Sequence, residues 1–373
     1  PSQSPPQSRA DLIRSDPPNP PRPDPIPRSR ERMNGTCIFV VTRMRASARG
    51  RDGAGDEGKR ETARKLTDMT EPTDMTDIAA ALARAGFPVD VATTRLAGLT
   101  NINHLFEHDD SRYVLRIPGA GTSEYINRAN EEVAALSAAA AGVNAEVVFF
   151  DATDGLMVTR FVDGAATMNA ERFLDLEACG RAGRAFRELH TTAAPFATDF
   201  DLFGMIDEYK ALLASKGATL PDGYAELQAT AEATRQALEA TARPLVPSHC
   251  DPLCENFLDT GTRMFVIDYE YSGNNDPMWD LGDLSVEGGF DTLQDETLLR
   301  SYFGGDAPDH EVGRMVAYKA LCDLLWTLWG VIQHVNENPA DDFWAYAVGR
   351  FERCAVLMSS ADYSARLGSI RPS

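Results

Sequence analysis

The chain has no C-x-x-C pair. Its six cysteines, Cys37, Cys179, Cys250, Cys254, Cys322 and Cys354, are scattered along 373 residues. That argues against a zinc ribbon or a thioredoxin-like site and predicts free thiols in a reducing, cytoplasmic setting. No apolar run approaches the length of a membrane crossing, and Cys37 to Val41 is too short for a signal peptide. No internal repeat recurs. Basic residues are outnumbered, 36 Lys+Arg against 56 Asp+Glu, for a formal charge of -20. Residues 1–68 alone carry +5, so the remainder carries -25. Such an acidic body argues against nucleic acid or an anionic membrane as partner. It suits a small cationic substrate, although acidity serves solubility equally well.

Ten of the 22 prolines fall in the first 30 residues, and Arg, Ser, Asp and Gly dominate to about residue 68. This composition buries too little apolar surface to offset ordering entropy, so residues 1–70 are expected to be a disordered extension. A translated upstream stretch ahead of Met69 or Met75, or a targeting arm, would account for it.

Beyond it, the pattern predicts an α+β chain. Asp77–Ala85 is a short helix. Strand signals follow at Ala92–Leu96, Ile102–Glu107 and Tyr113–Ile117, then a helix over Ser123–Ala141 and strands at Glu146–Phe150 and Leu156–Phe161. From Asn169 the chain is mainly helical: Ala170–His190, Met205–Lys216, Tyr224–Ala242, Pro277–Val286, Leu293–Tyr302, Val312–Val335 and Asp341–Met358. Residues 71–162 are expected to form a small β-rich lobe and 163–373 a larger helical lobe.

Between the helices lies Ser248-His249-Cys250-Asp251-Pro252-Leu253-Cys254-Glu255-Asn256. A hairpin follows and ends in Ile267-Asp268-Tyr269-Glu270-Tyr271. An Asp, four residues, an Asn, then an Asp closing an apolar run is the layout that phosphoryl transfer needs. One carboxylate accepts the hydroxyl proton, and two hard oxygen ligands hold Mg²⁺ against the phosphates of ATP. Asp251 suits the first role; Asn256 and Asp268 suit the second. A loop of this kind is elsewhere often a plain turn, and the flanking strand signals favour the catalytic reading.

Other candidates depend on that context. Arg116 ends the third strand and could neutralise phosphate charge while pairing with Glu131, early in the next helix. Thr100, Asn101 and Asn103 lie in a turn that could cover phosphates, although it holds one glycine and reads equally as a hairpin. Arg160, Phe161 and Val162 follow the fifth strand, where an interlobe hinge would offer backbone groups to adenine. Trp326 and Trp329 share a helix face. With Tyr271 they could box a quaternary ammonium, although such a pair usually belongs to a core. His190 and His249 read as braces for the catalytic loop.

Together these stretches resemble the choline/ethanolamine kinase family, within the protein-kinase-like, two-lobed phosphotransferase fold, over roughly residues 76–360. The resemblance is carried by Ser248–Asn256, by Ile267–Asp276 with Trp279-Asp280-Leu281-Gly282-Asp283, by Tyr113-Val114-Leu115-Arg116-Ile117 and by Leu324–Gly330. It implies Asp251 as base, Asn256 and Asp268 as Mg²⁺ ligands, ATP as donor, and Tyr271, Trp326 and Trp329 around choline or ethanolamine, with Glu270 beside them. Cys250 departs from the family's usual Asn, and no further cage tyrosine is identifiable from the C-terminal helices. The resemblance is compatible with a homodimer.

Overall fold

The computed structural model describes residues 75–97, 101–119, 122, 126–338 and 341–370, all within one compact unit. The expected extension, residues 1–70, lies outside them. Helix α1 (Met75–Arg84) leads into five antiparallel strands: β1 (Thr93–Arg95), β2 (Ile102–His108), β3 (Ser111–Ile117), β4 (Val147–Asp151) and β5 (Leu156–Arg160). Their order in the sheet is β1-β2-β3-β5-β4. Asp109 and Asp110 make the β2–β3 turn with φ of 48° and 54°. Two left-handed residues match the right-handed twist of the flanking strands, and Asp tolerates that region better than most residues.

Alternation along β3 turns Tyr113 and Leu115 inward. There they join Ile78, Ala81 and Leu82 of α1, Phe106 of β2, and Leu156 and Val158 of β5. This small core is separate from the main one. Arg84 ties α1 to the β4–β5 turn by ion pairs to Asp154, at 2.7 Å, and to Asp151.

Helix α2 (Arg128–Ala140) connects β3 to β4 in sequence, and one face of it packs on the helical lobe. Ala134, Ala135 and Ala138 belong to the core of the helical lobe, as does Val143 after them. Alanine side chains let the helix approach closely, and Val266 N–H donates to the Val143 carbonyl at 2.9 Å. The expected start at Ser123 moves to Arg128, because Asn127 caps the helix by accepting from Asn130 N–H at 3.2 Å.

The helical lobe contains α3 (Leu176–Thr192), α4 (Leu202–Ser215), α5 (Tyr224–Ala240), α6 (Pro277–Gly288), α7 (Thr292–Phe303), α8 (Asp309–Val335), α9 (Phe343–Met358) and α10 (Ala361–Ser369). The helix expected over Ala170–His190 is divided. Arg172–Leu174 form a 3₁₀ turn, and α3 starts afresh where Asp175 accepts from Glu177 N–H. Helix α10 was not anticipated. Short strands β6 (Ala166–Thr167), β8 (Phe257–Asp259) and β9 (Met264–Val266) form one small antiparallel sheet, and β7 (Val246–Ser248) pairs with β10 (Gly273–Asn275). Among the described residues one helix, α8 with 27 residues, is long and apolar enough to cross a membrane by length and composition alone. Most of it is buried against other helices, so it serves as the core helix of this lobe.

Leu115→Ala should destabilise the protein by about 2–5 kcal/mol, since it opens a cavity in a small core. Urea unfolding measures this; a loss below about 1 kcal/mol would mean that the sheet repacks around the void.

Candidate active site

The loop after β7 is positioned by one buried carboxylate. Asp280, on α6, accepts from His249 N–H at 2.7 Å and from Cys250 N–H at 2.8 Å. His190 Nε2 lies 3.0 Å from the same carboxylate, and its Nδ1 meets the Tyr302 hydroxyl at 3.0 Å. Trp279 Nε1 donates to the Cys250 carbonyl at 3.1 Å. His249 Nε2 lies 2.8 Å from the Ile267 carbonyl, joining the loop to the strand that leads to Asp268. Both histidines thus brace the loop. Helix α6 can hold Asp280 there because Asp276 caps it ahead of Pro277 and because Gly282 lets α8 approach. A Cβ at Gly282 would lie 3.0 Å from the Met315 carbonyl oxygen.

The loop is held against a backbone preference. Cys250 and Asp268 have φ of 68° and 72°, in the left-handed region. Strain of this kind is characteristic of functional sites and persists only when the surroundings impose it. Here the two N–H bonds to Asp280 impose it at Cys250.

Asn256 Nδ2 donates to the Asp251 carbonyl at 3.1 Å, and the Asn256 carbonyl accepts from Ile267 N–H at 2.9 Å. Asp251, Asn256 and Asp268 are thereby drawn together. Burial, then repulsion from Glu287 and Glu270, pushes the Asp251 carboxyl up to about 7, with Arg350 opposing. The Asp268 carboxyl is raised as well, first by its surroundings and then by Glu270, with Arg116 opposing. Its side chain keeps 37 % exposure, so it sits on the floor of an open cleft. Its Oδ1 has no hydrogen-bond partner among the described residues.

Beside Asp268 lies a buried cluster of charges. Arg116 pairs with Glu131, and its Nη2 donates to the Gly155 carbonyl at 3.0 Å. Its Nη1 lies 3.5 Å from Asp268 and 3.6 Å from Glu270. Arg128 Nη1 donates to Glu131 at 2.6 Å and to Glu270 at 2.7 Å. Asn101 Nδ2 donates to Glu270 at 2.9 Å. Residues 101 to 131 of the sheet side thus meet residues 268 to 270 of the helical side.

On the other side of Asp251, α6 carries Asp283 and Glu287. Arg350 of α9 donates to Glu287 at 2.5 Å and to Asp323 at 3.1 Å. Cys322 Sγ donates to Asp283 at 3.1 Å. One and two turns beyond Cys322, Trp326 and Trp329 meet edge to face with ring centroids 5.9 Å apart. Trp329 also meets Phe343 at 5.5 Å and Tyr346 at 5.8 Å, both from α9. Both tryptophans are half-buried, so each keeps some open surface. Tyr271, on the loop after Glu270, is 41 % exposed.

The other sequence candidates are less central. Thr100 lies outside the described residues. Asn101 braces Glu270 through its side chain. Asn103, in β2, donates its Nδ2 to the Ala97 carbonyl at 3.2 Å. Arg160 pairs with Glu146 at 2.8 Å on the surface. Phe161 N–H donates to the Arg112 carbonyl at 2.9 Å, leaving Val162 as the next backbone position of the hinge. Sequence reasoning missed Arg128, Asp280 as a clamp, Asp283, Glu287 and Tyr346. Arg128 stands one turn before Glu131, a spacing that could have suggested a shared face. The others depend on contacts between distant segments.

Residues 91–316 match the phosphotransferase enzyme family. A choline/ethanolamine kinase family protein from Mesorhizobium loti has a similar structure, with a TM-score of 0.73 and 52% identity, covering 80% of this chain and 99% of that one. The choline kinase LicA from Streptococcus pneumoniae gives 0.59 and 26%, covering 72% and 93%. Protein LicA of Haemophilus influenzae is 28% identical over 270 residues, 70% of this chain and 78% of that protein.

Asp251→Asn should raise the melting temperature of the unliganded protein at pH 8, and by clearly less at pH 5. A carboxyl raised on folding contributes stability below its unfolded pKa, and loses it as pH rises through about 7. Asn cannot ionise, so it avoids that loss. Equal melting shifts at both pH values would contradict the charge repulsion. Asp280→Ala should destabilise by about 2–5 kcal/mol, because it leaves two buried N–H groups unpaired. Chemical denaturation reads this directly; near-neutrality would show that the clamp is dispensable.

Proposed function

The chain belongs to the choline/ethanolamine kinase family, within the phosphotransferase enzyme family, and from that premise we propose that it moves the γ-phosphoryl group of ATP to the hydroxyl of choline. Residues 71–162 are the nucleotide-binding lobe in this reading, and 163–373 supply the catalytic loop and the alcohol pocket. Asp251 accepts the hydroxyl proton; its raised carboxyl pKa brings it near the operating pH of a general base. Arg116 meets the phosphates, held by Glu131. Val162 and the neighbouring hinge backbone face the base.

Asn256 and Asp268 fit Mg²⁺. Both offer hard oxygens, Asp268 Oδ1 is unpartnered, and the Asn256 amide donates its Nδ2 away, leaving Oδ1 as an acceptor. When bound, Mg²⁺ neutralises charge on the β- and γ-phosphates. The protein's own contribution is to hold these oxygens and Asp251 on one braced loop, so that alcohol and phosphate meet without reorganisation.

The observation that carries choline as acceptor is the ring cluster on α8 and α9. A trimethylammonium group cannot donate a hydrogen bond, so it is recognised by π-faces and nearby negative charge. Trp326, Trp329 and Tyr346 supply rings, and Asp283 and Glu287 lie on the neighbouring helix. Tyr271 closes the same pocket in this reading. Ethanolamine is the second reading: its ammonium requires acceptors, and the buried Asp283 Oδ2 has no hydrogen-bond partner among the described residues.

A panel of choline, ethanolamine, an aminoglycoside and a sugar with labelled ATP tests the acceptor. Phosphocholine should dominate; preferential labelling of ethanolamine would select the second reading. Asp251→Asn should lower turnover by roughly 10²–10⁴-fold. Turnover within threefold of wild type would remove Asp251 from the base role. Trp326→Ala and Trp329→Ala should each raise KM for choline by roughly thirtyfold, the equivalent of about 2 kcal/mol, with little effect on ATP. Unchanged choline KM in both folded variants would make the rings simple core.

A further inference from the structure

We propose that Arg128 is a positioning residue for nucleotide binding, which keeps one edge of Arg116 available to phosphate by restraining Glu131 and Glu270. This rests on the kinase reading above. Three carboxylates, Glu131, Asp268 and Glu270, surround Arg116. One guanidinium cannot balance them and also serve an anionic ligand. Arg128 is the second cation, 4 % exposed, and a single nitrogen, Nη1, holds Glu131 at 2.6 Å and Glu270 at 2.7 Å. Its Nη2 donates to Thr122 Oγ1 at 2.6 Å, and that hydroxyl donates to the Gly119 carbonyl at 2.8 Å. The segment after β3 is thus tied to the same guanidinium.

The consequence is visible in the hydrogen bonding of Arg116. Its Nε and Nη1 are buried and have no hydrogen-bond partner among the described residues, although Glu270 is only 3.6 Å from Nη1. Glu270 Oε1 already accepts from Arg128 and Asn101. Without Arg128, Glu270 is free to swing the short remaining distance onto Arg116 and to occupy the donors that phosphate needs. A lysine in place of Arg128 brings one point charge and no planar fork, so it holds fewer of these acceptors at once.

Gly155 packs against the same guanidinium. It sits in the β4–β5 turn with φ of 90°, and a Cβ there would come within 2.5 Å of Arg128 Nε. Gly155→Ala would displace Arg128, but the Gly155 carbonyl also accepts from Arg116 Nη2, so that substitution disturbs both cations and does not separate them.

The test is calorimetric titration with MgADP, alongside KM for MgATP and for the alcohol. R128Q should weaken MgADP binding about tenfold or more, the range of a charge-assisted hydrogen bond, and leave the alcohol KM within about twofold. R128K should fall between. In the R128Q/E270Q double variant, MgADP affinity should return to that of E270Q alone, because the competing carboxylate has been neutralised. A merely structural Arg128 would affect both substrates alike and show no such suppression. If R128Q fails to fold, R128K carries the comparison. Folded variants that bind MgADP as wild type does, or an R128Q defect that E270Q leaves untouched, overturn the proposal alone. Wild-type protein that binds no nucleotide overturns the underlying kinase reading as well.

Discussion

Five charged side chains, Arg116, Arg128, Glu131, Asp268 and Glu270, meet where the sheet faces the helical lobe, four of them with 6 % exposure or less. Charges so placed are tolerable only if each is paired, and breaking one pair leaves an uncompensated charge. The rest of the site follows from this constraint. β3 must end where Arg116 reaches Glu131. Helix α2 must stand with its first turn at the cleft. The strand after the catalytic loop must deliver Asp268 and Glu270 to the same place. The pairs are therefore a register mark as much as an energy term.

The loop after β7 is subject to a second constraint of opposite character. Its backbone is strained at Cys250 and Asp268, and Asp280 holds it by accepting two consecutive N–H groups. The cluster needs charges to be close, whereas Asp251 in the loop has no close counter-ion among the described residues. Asp251 and Asp268 are accordingly raised in pKa, and no described arginine pairs closely with Asp251. Carboxylates raised in this way cost stability, a familiar trade in active sites.

Much of this was legible in the sequence because the relevant residues are contiguous. Asp251, Asn256 and Asp268 sit in one short loop and hairpin, and Arg116 and Glu131 sit at the end of a strand and the start of the next helix. The five-strand order with one inserted helix was readable from period and turn signals. Local capping explains the boundary shifts: Asn127 and Asp175 each start a helix later than apolar periodicity suggests. What resisted was tertiary. Arg128 reaches Glu270 across 142 positions, and His190 reaches Asp280 across 90. Tyr346 became visible only when α9 was seen against Trp329. Asn101 and Asn103 show a further limit: two like residues, close in sequence, point in unrelated directions.

Helix α2 has its own consequence for how the chain can be divided. Its alanine face belongs to the core of the helical lobe, while the strands on either side of it close a different core. Its first turn nevertheless stays with the sheet, where Glu131 pairs with Arg116 of β3, so the helix belongs to both sides at once. A fragment ending at residue 162 would carry away a helix whose packing partner stayed behind, with Ala134, Ala135 and Ala138 facing water. Its complement would have a groove where that helix had been. The two lobes are thus interlocked along the chain, and a cut at the hinge would make two incomplete pieces.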